Sequence, residues 1–157
     1  MKSQAKIEFL ITTFIFLVFI VFSSKFFSDS LTKMIYDLRM ERIKTKGENI
    51  IEILAYEKGI PNNWYLNPDS TSVSRIGLAS DKPYVLSEEK IETLNNNCEL
   101  FREVFNIPSY RLIIVDEHGN ILLSCGIKSN IGAHFERAVL INSTDLKKAK
   151  LLLDIWW

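Results

Sequence analysis

The apolar residues at the start of the chain form one continuous run. Residues 9–22 read FLITTFIFLVFIVF and contain no charged side chain. A helix needs roughly 20 apolar residues to cross the hydrocarbon of a bilayer. The run approaches that length if its flanks, over residues 7–24, are helical as well. The pattern predicts a helix that is covered by lipid or by other helices.

Beyond this run, apolar residues recur at steps of three and four, which is typical of a helix with one buried stripe. They are Phe27, Leu31, Met34, Ile35, Leu38, Ile43, Ile50, Ile53 and Leu54. Charged residues lie between them, and no proline occurs before Pro61. We therefore expect one helix over residues 4–58, roughly 80 Å long at a rise of about 1.5 Å per residue. Its first half is apolar all round, and its amphipathic second half is expected to lie on a domain.

The composition changes at Gly59, and residues 59–157 are predicted to form a small domain. Its first stretch is rich in Pro, Asn and Ser, which indicates an ordered loop with one short strand at residues 73–78. A helix with one apolar stripe is expected from Ser87 to just before Pro108. The predicted strands are residues 110–115, 120–125, 135–141 and 149–156. The expected fold class is α+β: a long hydrophobic-then-amphipathic helix, followed by a helix on an antiparallel sheet of about four strands.

The composition argues against a nucleic-acid-binding protein. The chain has 157 residues, enough for one compact domain and one further element. Its 19 Lys and Arg residues balance 19 Asp and Glu residues, and the basic residues are spread along the chain instead of clustered. We expect no nucleic-acid partner.

Candidate catalytic and metal-binding groups are few. The 2 histidines are His118, in a predicted turn, and His134, just before a predicted strand. Neither has a carboxylate and a nucleophile at a recognisable spacing. The sequence also has no phosphate-binding glycine loop, no HExxH segment and no EF-hand loop. We therefore expect no catalytic residue, no metal site, no cofactor and no enzymatic activity.

Cys98 and Cys125 leave two alternatives open. Cys98 lies on the inward stripe of the predicted helix, and Cys125 shares a strand face with Ile121 and Leu123. A disulfide between them would join helix to sheet and stabilise the domain by roughly 3 kcal/mol outside the cell. The other alternative is two buried free thiols that act as small hydrophobes.

Asn142 is a possible glycosylation site. It begins the triplet Asn-Ser-Thr, which fits the N-glycosylation pattern and falls in a predicted exposed turn.

Glu8 is the most informative residue of the N-terminal segment, because it places a carboxylate at the edge of the apolar run. Burying such a group alone costs a few kcal/mol or more, so a partner has to neutralise it. Cleavage between Ser3 and Gln4 would create an α-amino group four residues before the acid. In a stack of parallel helices, the Gln4 amine of one subunit would meet the Glu8 carboxylate of the next and set the axial register.

The residues around this acid resemble the class III signal peptide of archaeal type IV pilin-like proteins. In that motif a basic and a small residue precede the cleavage point, and Q-x-S-x-E-x-x-x-L follows. Lys2 and Ser3 precede the cleavage point, and Gln4 and Glu8 match the motif after it. The chain departs from the motif with Lys6 for Ser, Thr12 for Leu, and serine where Gly or Ala is commoner before the cut. The resemblance implies a prepilin peptidase that removes residues 1–3 on the cytoplasmic side and leaves the apolar helix attached.

Parts of the C-terminal domain are also similar to archaeal pilin-like surface proteins. They are residues 61–64 (P-x-x-W), 75–78, 84–86, 136–142 and 149–151, and the tryptophan pair at 156–157. The resemblance implies a structural subunit, a pilin or minor pilin, of a surface filament. Its implied partners are other pilin subunits and, before assembly, membrane lipid. The implied location is first the membrane and then an extracellular filament.

Two other interpretations stay open. A monomeric single-pass anchor would display the domain as a binding or sensing module, with Lys6 and Glu8 both reaching the lipid headgroups. A secreted hydrolase would require cleavage after Ser24, as in an ordinary secretory signal peptide.

Overall fold

The first structural element is a single long helix. The computed structural model describes the backbone of residues 2–127, 132–143 and 146–156, and the side chains of those residues from residue 7 onward. Helix α1, Lys2–Tyr56, runs without a break for 55 residues, which confirms the predicted N-terminal helix. The chain divides into two compact units, Met1–Glu41 and Arg42–Trp157. The last turns of α1 therefore belong to the second unit.

Two groups of strands follow α1. A two-stranded antiparallel ribbon pairs β1 (Gly59–Ile60) with β2 (Arg75–Ile76), and a short 3-10 helix, Trp64–Leu66, lies between them in sequence. The main sheet contains β3 (Val85–Ser87), β4 (Ser109–Asp116), β5 (Ile121–Gly126), β6 (Ala133–Asn142) and β7 (Leu146–Trp156). Its order is β3-β6-β7-β4-β5, with β3 parallel to β6 and all other neighbours antiparallel.

This architecture confirms the predicted α+β fold. Strands β4 to β7 lie where the sequence pattern placed them, with ends that differ by up to 3 residues. β2 falls inside the short strand expected at residues 73–78. β3 is an addition to the predicted sheet, because its 3 residues are too few to show an alternating pattern.

The helix expected from Ser87 to Pro108 is two helices, α2 (Glu88–Asn96) and α3 (Cys98–Phe105). The break is at Asn97, whose φ of −131° and ψ of 51° lie outside the helical region. Its side-chain Nδ2 donates a hydrogen bond to the Thr93 carbonyl oxygen at 2.8 Å. Asparagine side chains compete for nearby backbone groups in this way, so the run Asn95-Asn96-Asn97 ends one helix before the next begins.

One face of the sheet is buried against the helices. The register places on it the alternate residues Leu86, Tyr110, Leu112, Ile114, Leu123, Cys125, Phe135, Val139, Ile141, Leu151, Leu153 and Ile155. Ile50, Ile51 and Leu54 of α1 belong to the same core cluster, as do Leu94 of α2 and Phe101 of α3. The amphipathic end of α1 thus lies on the domain.

Gly47 allows α1 to approach the sheet closely. A methyl group at this buried position would lie 2.1 Å from Cε2 of the Phe135 ring, well inside van der Waals contact. The ring occupies the space that any larger side chain on α1 would need.

We expect Gly47→Ala to lower the free energy of unfolding by about 1–3 kcal/mol, because the methyl group overpacks the contact with Phe135. At an exposed helix position the same change would stabilise the chain by about 0.5–1 kcal/mol. Urea unfolding of the detergent-solubilised chain, followed by tryptophan fluorescence, measures the difference.

The control is Gly47→Ala in a Phe135→Leu background, where the smaller side chain leaves room for the methyl group. There the change should cost less than half as much as in the wild type. A Gly47→Ala protein as stable as the wild type would contradict the close approach.

Candidate membrane and assembly segment

The first unit exposes an unusually large apolar surface. From Ile7 to Leu38, its large apolar side chains are between 46% and 71% exposed. They are Ile7, Phe9, Leu10, Ile11, Phe14, Ile15, Phe16, Leu17, Val18, Phe19, Ile20, Val21, Phe22, Phe26, Phe27, Leu31, Met34, Ile35, Tyr36 and Leu38. Removing one such side chain from water gains about 1.5–3 kcal/mol. A surface of this size therefore requires lipid or protein to cover it.

The polar side chains inside the apolar run have their hydroxyl groups satisfied within the helix. Thr12 donates to the Glu8 carbonyl oxygen at 2.8 Å, and Thr13 donates to the Phe9 carbonyl oxygen at 2.9 Å. Backbone groups in hydrocarbon must be paired within the protein, and a continuous helix pairs them. Both threonines are thus compatible with an apolar surrounding.

The length of the run fits a bilayer. Residues 9–24 are uncharged and lie between Glu8 and Lys25, and residues 7–24 would cover about 27 Å at 1.5 Å per residue. Within the part of the chain that the structure describes, α1 is the one helix long and apolar enough to cross a membrane. A cleaved signal sequence meets the same criterion of length and composition.

Glu8 lies at the start of the run with its side chain exposed. Among the residues whose side chains are described, none forms an ion pair with it. Ser3 and Gln4 lie on the backbone of α1, and their side chains are outside the described set. Gln4 precedes Glu8 by about one helical turn. The processing and register roles of these residues stay predictions.

Cys98 and Cys125 are joined: their Sγ atoms lie 1.98 Å apart, the distance of a disulfide bond. The bond links the first residue of α3 to β5. Beside it, the Tyr110 hydroxyl donates a hydrogen bond to the Cys98 carbonyl oxygen at 2.5 Å. Burial raises the pKa of Tyr110 to about 12, so this donor keeps its proton at neutral pH.

Asn142 is the last residue of β6, and its side chain is exposed. Thr144, the third residue of its triplet, lies outside the described residues. Glycosylation at Asn142 stays a prediction.

The two histidines lie on different parts of the second unit. The backbone N–H of His118 donates to an Asp116 carboxylate oxygen at 2.9 Å in the β4–β5 turn. That carboxylate is held by Asn120 and His118, which lower its pKa. His134 Nδ1 lies 2.5 Å from a carboxylate oxygen of Asp154, on the face of the sheet opposite the helices. Within the described ranges, no three His, Cys, Asp or Glu side chains lie close enough to hold a metal ion.

Sequence reasoning missed a groove of about 590 Å³ on the second unit. Its lining residues include Tyr84, Val85, Ala138, Leu140 and Lys148. The Tyr84 hydroxyl donates to the Glu52 carboxylate, and this hydrogen bond raises the pKa of Tyr84. The lining comes from segments that are distant in sequence, so no local pattern could have indicated that they form one groove.

We expect Phe16→Lys to weaken membrane insertion. A lysine at the centre of a membrane helix costs about 2.5–3.5 kcal/mol, and Phe16 lies in the middle of the run. Leu31→Lys is the matched control, since Leu31 is similarly exposed (56% against 61%) but lies beyond the run. Alkaline carbonate extraction of membranes should release Phe16→Lys more readily than Leu31→Lys or the wild type. Equal release of both variants would contradict the assignment of residues 7–24 to the bilayer.

Comparison of this chain with protein-family models, with curated proteins and with solved structures finds no match. The structure establishes a long N-terminal apolar helix followed by a sheet domain.

Proposed function

We propose that this protein is a structural subunit, a pilin or minor pilin, of an archaeal type IV pilus-like surface filament. The observation that carries the proposal is the first part of α1: an unbroken helix with an uncovered apolar surface and one carboxylate, Glu8, at the edge of that surface. A water-soluble domain has no use for such a helix, whereas a subunit that moves from lipid into a bundle of helices requires one.

The apolar surface has to be covered both before and after assembly. Lipid covers it in the membrane-anchored precursor, and the helices of other subunits cover it in the filament. Burial of even half of the exposed side chains would contribute more than the few kcal/mol needed for specific association, at about 25 cal/mol per Å² of apolar area.

The charge of Glu8 selects the arrangement of the helices. Removal of residues 1–3 by a prepilin peptidase leaves an α-amino group on Gln4, about 6 Å along the helix axis from Glu8. A parallel neighbour displaced by that distance brings its amine level with the carboxylate. The pair offsets the cost of burying either charge and sets the stagger between subunits.

The second unit fits the outer part of such a subunit. The Cys98–Cys125 bond suits the oxidising environment outside the cell. The last turns of α1 contribute Ile50, Ile51 and Leu54 to the core, so the domain is anchored to the helix that would carry it. The size of the domain suits a minor or tip pilin as well as a repeating filament subunit.

A monomeric membrane-anchored binding or sensing domain is the second candidate. The groove of about 590 Å³ beside Tyr84 and Leu140 favours it, because a filament subunit needs no cavity of that size. A membrane-anchored domain of this kind would keep residues 1–3 and place Glu8 among the lipid headgroups.

We expect Glu8→Ala to insert into membranes normally and to reduce filament number at least tenfold. The reason is that an unpaired amine in the bundle costs about 3–5 kcal/mol. Glu8→Gln keeps the size of the side chain but removes its charge, and it should show the same defect. Asp29→Ala, which removes another exposed acid of α1, is the control. Filaments are counted by electron microscopy, and normal numbers with Glu8→Ala would contradict the role of this carboxylate.

A further inference from the structure

The two edges of the main sheet are covered in different ways. At the β3 edge, residues 78–80 run alongside the strand. Ser87 N–H donates to the Leu78 carbonyl oxygen at 2.8 Å, and Ser80 N–H donates to the Val85 carbonyl oxygen at 2.7 Å. Main chain therefore closes this edge along the whole of β3.

The opposite edge, β5, has a single strand neighbour, β4. An edge strand turns every second pair of backbone groups away from its partner strand. Ser124 is such a residue, since its N–H donates to the Asn95 side-chain oxygen at 3.0 Å. Its carbonyl oxygen lies 3.9 Å from Sγ of Cys98. Asn95 and Cys98, at the junction of α2 and α3, thus lie over the outward N–H and carbonyl groups of Ser124 at the centre of β5.

The sequence of β5 favours pairing with another strand, so the residues that cover this edge matter. Residues 121–127 read ILLSCGI, with no charge and no proline. Ile121 is 61% exposed and Ile127 is 81% exposed. The pairing of β5 with β4 shifts register at Leu122, a bulge near the start of the strand. The strand has no lysine or proline, the other residues that usually protect an edge against pairing with another chain, and short uncharged apolar segments pair readily.

We propose that Asn95 and the Cys98–Cys125 disulfide form a redox-sensitive latch that keeps the β5 edge from pairing with the same edge of a second copy. The bond fixes the α2–α3 junction on β5, and Asn95, three residues before Cys98, occupies the Ser124 amide. A dithiol reductant supplies two electrons and two protons to the bond, which leaves two thiols and a cyclic disulfide of the reagent. The covalent link between the junction and β5 is then lost, and residues 95–98 can move away from the strand edge while Leu94 and Leu100 on either side stay in the core.

The second copy is the partner that the exposed edge fits. Two β5 strands that pair antiparallel about Ser124 form a two-fold symmetric contact, in which each Ser124 N–H donates to the Ser124 carbonyl oxygen opposite. No charge in residues 121–127 opposes this pairing. This latch is independent of the proposed function, because association through α1 does not involve it.

Two measurements on the detergent-solubilised full chain test the latch. Hydrogen exchange reports on the Ser124 amide, and Asn95→Ala, with the disulfide intact, should speed its exchange at least tenfold. The matched control is Asn96→Ala, the neighbouring exposed asparagine on the same helix, which should leave the exchange rate unchanged. Unchanged exchange in Asn95→Ala, or equal acceleration in both variants, would overturn the proposal without any need for reduction.

Light scattering then measures self-association. Asn95→Ala treated with dithiothreitol should double in mass relative to the same variant left oxidised, and association through α1 is common to both samples. Adding Ser124→Lys places two ammonium groups opposite each other in the paired strands and should abolish the doubling. The proposal fails if the mass does not double, or if the doubling persists with Ser124→Lys.

Discussion

The placement of one carboxylate, Glu8, at the edge of an apolar helix is the constraint on which the proposed function depends. A charge there is tolerated only with water, headgroups or an opposite charge beside it. The exposed apolar side chains that follow it require cover over the same length of helix. Under the proposed function, a parallel copy of α1 meets both requirements at once: its side chains would cover the apolar surface, and the amino terminus created by processing would supply the positive charge.

The two units of the chain have opposite surface properties. The first leaves its apolar side chains uncovered, whereas the second buries one face of its sheet and covers backbone groups at both sheet edges. Under the proposed function this contrast directs association to the helix and keeps the sheet from polymerising by strand addition. Gly47 contributes to this difference between the units, because it lets the end of α1 lie close enough to the sheet to become part of the core.

Much of this fold could be predicted from the sequence, because α1 and β4 to β7 are long enough for their periodicity to be read. The features that were missed depend on tertiary contacts or on very short segments. β3 is a strand only because it pairs with β6. The break at Asn97 depends on the hydrogen bond from its side chain to the Thr93 carbonyl oxygen. Lys90 is a charged residue of α2, yet it is 5% exposed and donates to the carbonyl oxygens of Lys58 and Ala79, two contacts that only the folded chain provides. The groove beside Tyr84 joins segments distant in sequence, and only the folded chain brings them together.

The most direct test of the central claim is the mass of the first peptide of the natively produced chain. If a neighbouring amine neutralises Glu8, that amine must be made by processing, and the peptide should begin at Gln4 with residues 1–3 removed. A native chain whose first peptide begins at Met1, or one that begins after Ser24, would lack the amine or the helix and would contradict the account.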